Sequence, residues 1–281
     1  MIDRKIIEKI CRMDEEELRS YLVRTLKKKF NYQNVICTKD YIIAEGTLPI
    51  CLVAHMDTVF SYLPQEFIYD QQKHILYGIG GSGFDDRAGI CAILELLNLG
   101  NFPSVIFTTD EEMGGLGSRQ LVEDYPICPF PCNAIIQLDR ANHFDSVYYD
   151  CNNKQFEEYI NDYGFETAWG TFSDISVLAP AWEIAAVNLS IGYKYEHSEA
   201  EILHLDWLNE TINKVDSLLI EAIGMKVSYK YIPMKYSFKD ETYENCIFCG
   251  RSFNERLHRN IITYPNFSYA VCDGCKKEYL S

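Results

Sequence analysis

Short apolar runs separated by helix-length amphipathic stretches predict an α/β fold: a three-layer sandwich around a mostly parallel central sheet. The runs are PICLVAHMD, PSVIFTTDEE, NAIIQLD and IAAVNLSIGYKYEH. Each is rich in Val, Ile or Leu and bounded by turn residues, the pattern of strands buried on both faces. Helical patterns at 87–97, 117–123, 155–163 and 203–223 alternate with them, and such alternation puts helices on the faces of a sheet. Ligands of these sheets gather beyond the carboxyl ends of the strands. His55, Glu111, Glu112 and Asp139 all fall at such ends.

The flanking elements follow in order. Residues 3–30 read as one or two amphipathic helices. Asp14, ahead of three glutamates, is placed to cap a helix, and Lys27, Lys28 and Lys29 close it with the favourable dipole sign. VICTKDYIIAEG reads as a strand hairpin. YGIGGSG at 77–83 contains G-x-G-x-x-G. The βαβ unit with an acid about 20 residues on, which a dinucleotide site needs, does not accompany it. The glycines are expected to let the chain turn tightly before Asp85. Residues 227–243 read as a connector.

Composition narrows the function. The 281 residues suit one large domain, 1–228, and a small appendage, 229–281. A formal net charge of -15 argues against a nucleic-acid binder that tracks phosphates. No apolar run reaches the length of about 18 residues that a membrane span needs. The charged opening segment lacks the pattern of a signal peptide, so a cytoplasmic protein is expected. Seven of the eleven cysteines are scattered and four form two C-x-x-C pairs, which points to reduced thiols plus a metal site. Cys246, Cys249, Cys272 and Cys275 have the spacing of two zinc knuckles. Four thiolates would close a tetrahedral structural zinc site, and the segments CIFCGRSF and VCDGCKKEY resemble a zinc ribbon. Such a module would fold around its metal and is a candidate contact for a protein partner.

A second set of candidate ligands is His55, Asp85, Glu112, Asp139 and His197. Two imidazoles and three carboxylates suit zinc, or cobalt or manganese in its place. Two ions need about this many groups, because one carboxylate can bridge them. Paired ions, ~3.5–4 Å apart, activate a water and polarise a carbonyl oxygen. A neighbouring carboxylate must then take the water's proton, and Glu111 stands next to Glu112.

AHMDTV at 54–59, GFDDRAG at 83–89, TTDEEMGGLGS at 108–118, QLD at 137–139 and YEHSEAE at 195–201 together resemble the clan of co-catalytic zinc exopeptidases. That clan includes bacterial leucyl aminopeptidases, glutamyl and tetrahedral aminopeptidases, peptidase T and acetylornithine deacetylase. The resemblance spans about residues 50–200 and implies their sandwich fold and two-metal hydrolysis. It makes Asp85 the bridging carboxylate, joined to Asp86 by a bond that is often cis in the family. His55 and Asp139 would complete one ion, Glu112 and His197 the other. Asp57 would support catalysis by fixing the His55 tautomer. Glu111 would be the general base and later protonate the leaving amine. Only 57 residues separate Asp139 from His197, too few for the lid or dimerisation domain of many clan members. No long insert lies between His55 and Asp85 either. The result is a bare catalytic domain whose motif wording is nearest the peptidase T and tetrahedral branches.

An aminopeptidase acting on peptides is therefore expected. A deacylase using the same ions on N-acyl amino acids is the alternative, and a non-catalytic binding protein built around the zinc ribbon is the third. Secondary candidates carry two roles each. Arg87 either orients Asp85 or begins a helix, Asp174 either lines the pocket or caps a helix, and Tyr193 and Tyr195 either touch substrate or pack a loop.

Overall fold

The structure, a computed structural model, describes residues 2–234, 243–245, 252–254, 261–264 and 267–270. The chain divides into two compact units, 1–234 and 235–281. In the first, α1 (Arg4–Cys11) and α2 (Glu15–Lys28) lead into β1 (Val35–Cys37), β2 (Tyr41–Ala44), β3 (Leu48–His55), β4 (Glu66–Asp70) and β5 (Ile75–Ile79). Then follow α3 (Phe84–Asn98), β6 (Pro103–Thr108), α4 (Leu116–Asp124), β7 (Ala134–Arg140), β8 (Asp145–Val147), α5 (Lys154–Asn161) and β9 (Glu166–Ala168). Last come α6 (Ile175–Trp182), β10 (Ala186–Ser190), β11 (Tyr193–Lys194), β12 (Ile202–His204) and α7 (Leu205–Glu221).

Eight strands form the main sheet in the order β1-β2-β6-β3-β7-β10-β8-β9. The central four, β6, β3, β7 and β10, run parallel. Antiparallel pairings occur outside them, where β1 meets β2, β2 meets β6 and β8 meets β10. The sheet is thus mostly parallel at its heart. Its side chains alternate between two cores, as the two-residue period of a strand requires. Ile50, Leu52 and Ala54 of β3 join one core with residues of α1, α2, α3, α5 and α7. Cys51 and Val53 join the other, with residues of α4 and α6. Helix, sheet and helix make three layers. No helix among the described residues is long and apolar enough to cross a membrane.

Local chemistry explains the boundaries. Asp14 accepts from the Glu17 N–H while the Glu17 side chain returns to the Asp14 N–H, a capping box that starts α2. The 203–223 pattern resolves into a short strand, β12, followed by α7. Residues after α7 are anchored to the sheet: the Tyr229 N–H donates to Asn133 O, and its carbonyl accepts from Ala185 N. In the second unit, β13 (Tyr243–Asn245) pairs with β14 (Ser252–Asn254) and β15 (Ile261–Tyr264) with β16 (Phe267–Ala270). Cys246, Cys249, Cys272 and Cys275, where the zinc ribbon is expected, lie outside the described residues.

The four parallel strands end together, at His55, Thr108, Arg140 and Ser190. These ends form the floor of the site.

Candidate metal centre

His55 closes β3 and is almost fully buried. Its Nδ1 lies 3.2 Å from Asp57 Oδ1. Its Nε2 faces two more carboxylates, Asp85 Oδ1 at 3.2 Å and Asp139 Oδ1 at 3.4 Å. Asp85 sits in the distorted first turn of α3, outside helical φ/ψ, and its bond to Asp86 is cis. Its other oxygen, Oδ2, lies 3.2 Å from His197 Nε2, which in turn lies 3.0 Å from Glu112 Oε2. Asp85 therefore stands between two groups, His55 with Asp139 and His197 with Glu112.

These spacings suit bound cations. Two donors at the usual zinc distances and a tetrahedral angle sit about 3.4 Å apart. Glu112 Oε1 is buried without a hydrogen-bond partner, a condition that costs roughly 1–3 kcal/mol unless something relieves it. A cation would relieve it. His55, Asp85 and Glu112, and likewise His55, Asp86 and Asp139, bring ligand atoms within 4.8 Å of one another. Asp86 is committed elsewhere, because its oxygens accept from the backbone N–H groups of His55 and Gly89. It belongs to the framework.

The electrostatics describe an over-acidic pocket. Burial lifts Asp139 to about 7, and burial with the Asp139 charge lifts Glu111 to about 9. His197 is raised to about 9 by its hydrogen bond to Asp85, against burial. Burial depresses His55, but Asp139, Asp57 and Asp85 together hold it well above its ordinary value. Asp85 shows the converse: burial pushes it up, and its bonds to His197 and His55 bring it below the usual carboxylate range. Asp57 is also lowered, because His55 and the N–H groups of Glu111 and Glu112 outweigh its burial. Asp85, Glu111, Glu112, Asp139 and His197 line one cavity of about 180 Å³, with Arg140 at its wall.

Other residues hold this constellation and were not singled out from the sequence. Glu201, buried, accepts from the N–H of Phe84 at 3.1 Å and of Asp85 at 2.8 Å, pinning the start of α3. Asn188 brackets Asp139 by accepting from its N–H and donating to its carbonyl. Gln137 donates to Asp139 Oδ2 at 3.0 Å. A polar residue inside a buried apolar run, as Asn188 and Gln137 are, is the signal that marks this class.

The secondary candidates also find places. Tyr193 is buried and donates its hydroxyl to the Asp139 carbonyl, whereas Tyr195 is exposed. Asp174 stands at the N-cap position of α6 without a side-chain cap bond, and accepts from the Thr108 hydroxyl instead. Arg87 lies in α3, but its guanidinium reaches the carbonyls of Ile10 and Met13 rather than Asp85. It ties α3 to the turn between α1 and α2.

The chain matches no family model and no curated protein. Solved structures do resemble it. Aminopeptidase PepT from Bacillus cereus superposes with a TM-score of 0.63 at 13% identity, over 80% of this chain and 100% of that one. A tripeptidase from Staphylococcus aureus gives a TM-score of 0.63 at 14% identity, over 80% and 100%. A TET aminopeptidase from a marine-sediment thaumarchaeon gives 0.61 at 13% identity, over 78% and 98%. The chain shares the fold of these peptidases.

Proposed function

We propose that this chain is a metal-dependent aminopeptidase that removes N-terminal residues from peptides. The observation that carries this is the placement of Asp85, one oxygen toward His55 and the other toward His197, with Glu111 lining the same cavity. The ordered motifs and the shared fold support a place among the co-catalytic zinc exopeptidases. The resembling structures, an aminopeptidase and a tripeptidase, support peptides as substrates.

In this reading His55, Asp85 and Asp139 hold one ion, and His197, Glu112 and Asp85 the other. Two zinc ions, or cobalt or manganese in their place, would lower the pKa of the attacking water and polarise the scissile carbonyl. Glu111 accepts the proton of that water on its carboxylate and hands it to the leaving amine nitrogen. Asp57 keeps the His55 ring proton on Nδ1, so that Nε2 presents its lone pair to the site. Glu201 and Asn188 hold the backbone of Asp85 and Asp139 in place. Glu196, exposed at the cavity wall, offers a carboxylate to the free amine of the substrate.

Residues 229–281 would add a structural zinc module through Cys246, Cys249, Cys272 and Cys275 to a catalytic domain in 1–228. This rests on the cysteine spacing and offers a surface to a protein partner. The seven described cysteines are free thiols, which supports a reducing, cytoplasmic setting.

The test is to load the protein with zinc or cobalt, incubate it with a mixed peptide library and follow the products by mass spectrometry. Stepwise loss of N-terminal residues is expected, and its absence in Glu111→Gln would assign the base. Peptides left intact by the unsubstituted protein under every metal would overturn the proposal.

A further inference from the structure

Among the residues lining the metal-site cavity, Arg140 is the one lysine or arginine. It follows Asp139 directly at the carboxyl end of β7. Its guanidinium is lightly committed. Nη2 donates to Trp169 O at 3.4 Å, and Nε stands 3.6 Å from Asp145 Oδ2. Both distances lie beyond those of a good N–H···O bond. Asp145 is shared as well, since it also accepts from Asn142 Nδ2. Nε itself is buried without a hydrogen-bond partner. A guanidinium carries five donors in a rigid planar fork that matches a carboxylate in bidentate fashion.

Asp85, Glu111, Glu112, Asp139 and Glu196 also line the cavity, so away from His197 and the metal ligands Arg140 is the side chain able to receive an anionic group of a ligand. The cavity, about 180 Å³, is smaller than the roughly 300–1,000 Å³ of sites for drug-sized ligands. It suits a small molecule with an amine at one end and a carboxylate at the other. With so little room, a carboxylate held by Arg140 is that of the residue just after the bond to be cut.

We propose that Arg140 determines specificity by binding the free C-terminal carboxylate of the substrate, making dipeptides the preferred class. The proposal deepens the aminopeptidase reading and rests on it for the identity of the reaction, though not for the existence of the carboxylate subsite.

The test uses the full-length, zinc-loaded Glu111→Gln protein, so that ligands are not consumed. Calorimetry compares alanyl-alanine with alanyl-alanine amide, which lacks the terminal charge. The free acid is expected to bind about tenfold to a hundredfold more tightly, the range of a charge-assisted hydrogen bond. Adding Arg140→Ala should erase that difference, and Arg140→Lys should restore part of it. Equal affinity for acid and amide, binding of neither, or a preference that survives Arg140→Ala would each overturn the proposal. The first comparison needs no Arg140 variant, so a folding defect cannot obscure it. Hydrolysis by the unsubstituted protein separates the two readings. If no peptide is cut while the acid–amide difference persists, the aminopeptidase reading falls and the carboxylate subsite stands. If both dipeptides are cut equally and bound equally, the subsite falls and the peptidase stands.

Discussion

Asp57 Oδ1 lies 3.2 Å from His55 Nδ1, on the ring edge away from Asp85 and Asp139. The same carboxylate accepts from the N–H groups of Glu111 and Glu112 at 3.2 Å. It thereby joins the end of β3 to the loop after β6 and sets both the tautomer of one candidate ligand and the position of another. Asp57→Asn should keep the fold and weaken zinc affinity about tenfold to a hundredfold, as losses of ligand-orienting partners do. Competition with a chromogenic chelator measures this, and an unchanged affinity would contradict the role.

The groups that converge here were legible because their signal is local. His55, Glu111, Glu112 and Asp139 end or follow apolar runs, and an apolar run that stops at a charged residue marks a strand end without any tertiary knowledge. The helix cap at Asp14 was legible because its signal is local too, and the structure adds the reciprocal bond from Glu17. Glu201 was not. It works by accepting the N–H groups of Phe84 and Asp85, more than a hundred residues earlier, and nothing in the spacing announces that pairing. Asp174, for which the sequence left two roles open, occupies the cap position of α6, but its side chain accepts from the Thr108 hydroxyl at the end of β6 instead. The hairpin of β4 and β5 gave little warning because β4 has no buried residue and β5, though mostly buried, shows no clean alternation.

Glu201 gives the second expectation. Burial raises its carboxyl to about 8, yet its oxygens are occupied by N–H donors of the α3 start. Glu201→Gln replaces one acceptor oxygen with an NH₂ group that faces a donor. Leaving a buried N–H unpaired costs about 1–3 kcal/mol. Melting should fall by roughly 2–4 °C for each kcal/mol lost, and zinc affinity should fall with it because Asp85 loses its anchor. Calorimetry of the metal-free protein reads the first effect and chelator competition the second. A variant that melts lower but binds zinc unchanged would confine Glu201 to stability alone.

Gly89 marks where α3 presses on β7. A Cβ there would lie 1.9 Å from Leu138 O and 2.4 Å from Asp86 Oδ1. The first atom is backbone and cannot yield unless the helix backs away from the strand that carries Asp139. Gly89→Ala should cost at least the ~1–3 kcal/mol typical of overpacking. Urea unfolding should show a lower midpoint with little change in slope. An unaltered midpoint would mean that this helix–strand contact is looser than its geometry.

Among the described cysteines, thiol reactivity should single out Cys128. The Cys132 side chain donates to it and lowers its pKa below the ordinary thiol value, whereas burial raises Cys37 even though that residue is exposed. Thiolate is the reacting form, so alkylation of Cys128 should reach half its maximal rate at a lower pH than that of Cys37. Peptide-mapped alkylation across a pH series gives the two midpoints. Cys132→Ala, which removes the donor to the thiolate, should narrow the gap, and a Cys37 midpoint below that of Cys128 would refute the assignment.

Metal uptake should release protons, because the free site is built to hold them. His197 and Glu111 are raised to about 9 and Asp139 to about 7, and His55 is raised as well. At neutral pH the metal-free pocket therefore keeps its imidazoles and Glu111 protonated and Asp139 partly so. A cation binds neutral imidazole and ionised carboxylate and must displace those protons. The sign follows directly: raised pKa values mean that protons compete with the metal, so affinity rises as pH climbs through 7 toward 9. Zinc titrations in buffers of different ionisation enthalpy should give an apparent heat that depends on the buffer, with more than about one proton released at pH 7. Glu111→Gln removes a group that is protonated before binding and ionised after it, and should release about one proton fewer. Heats independent of buffer would show that the pocket is already deprotonated when empty, and that its acidic groups are better solvated than their burial implies.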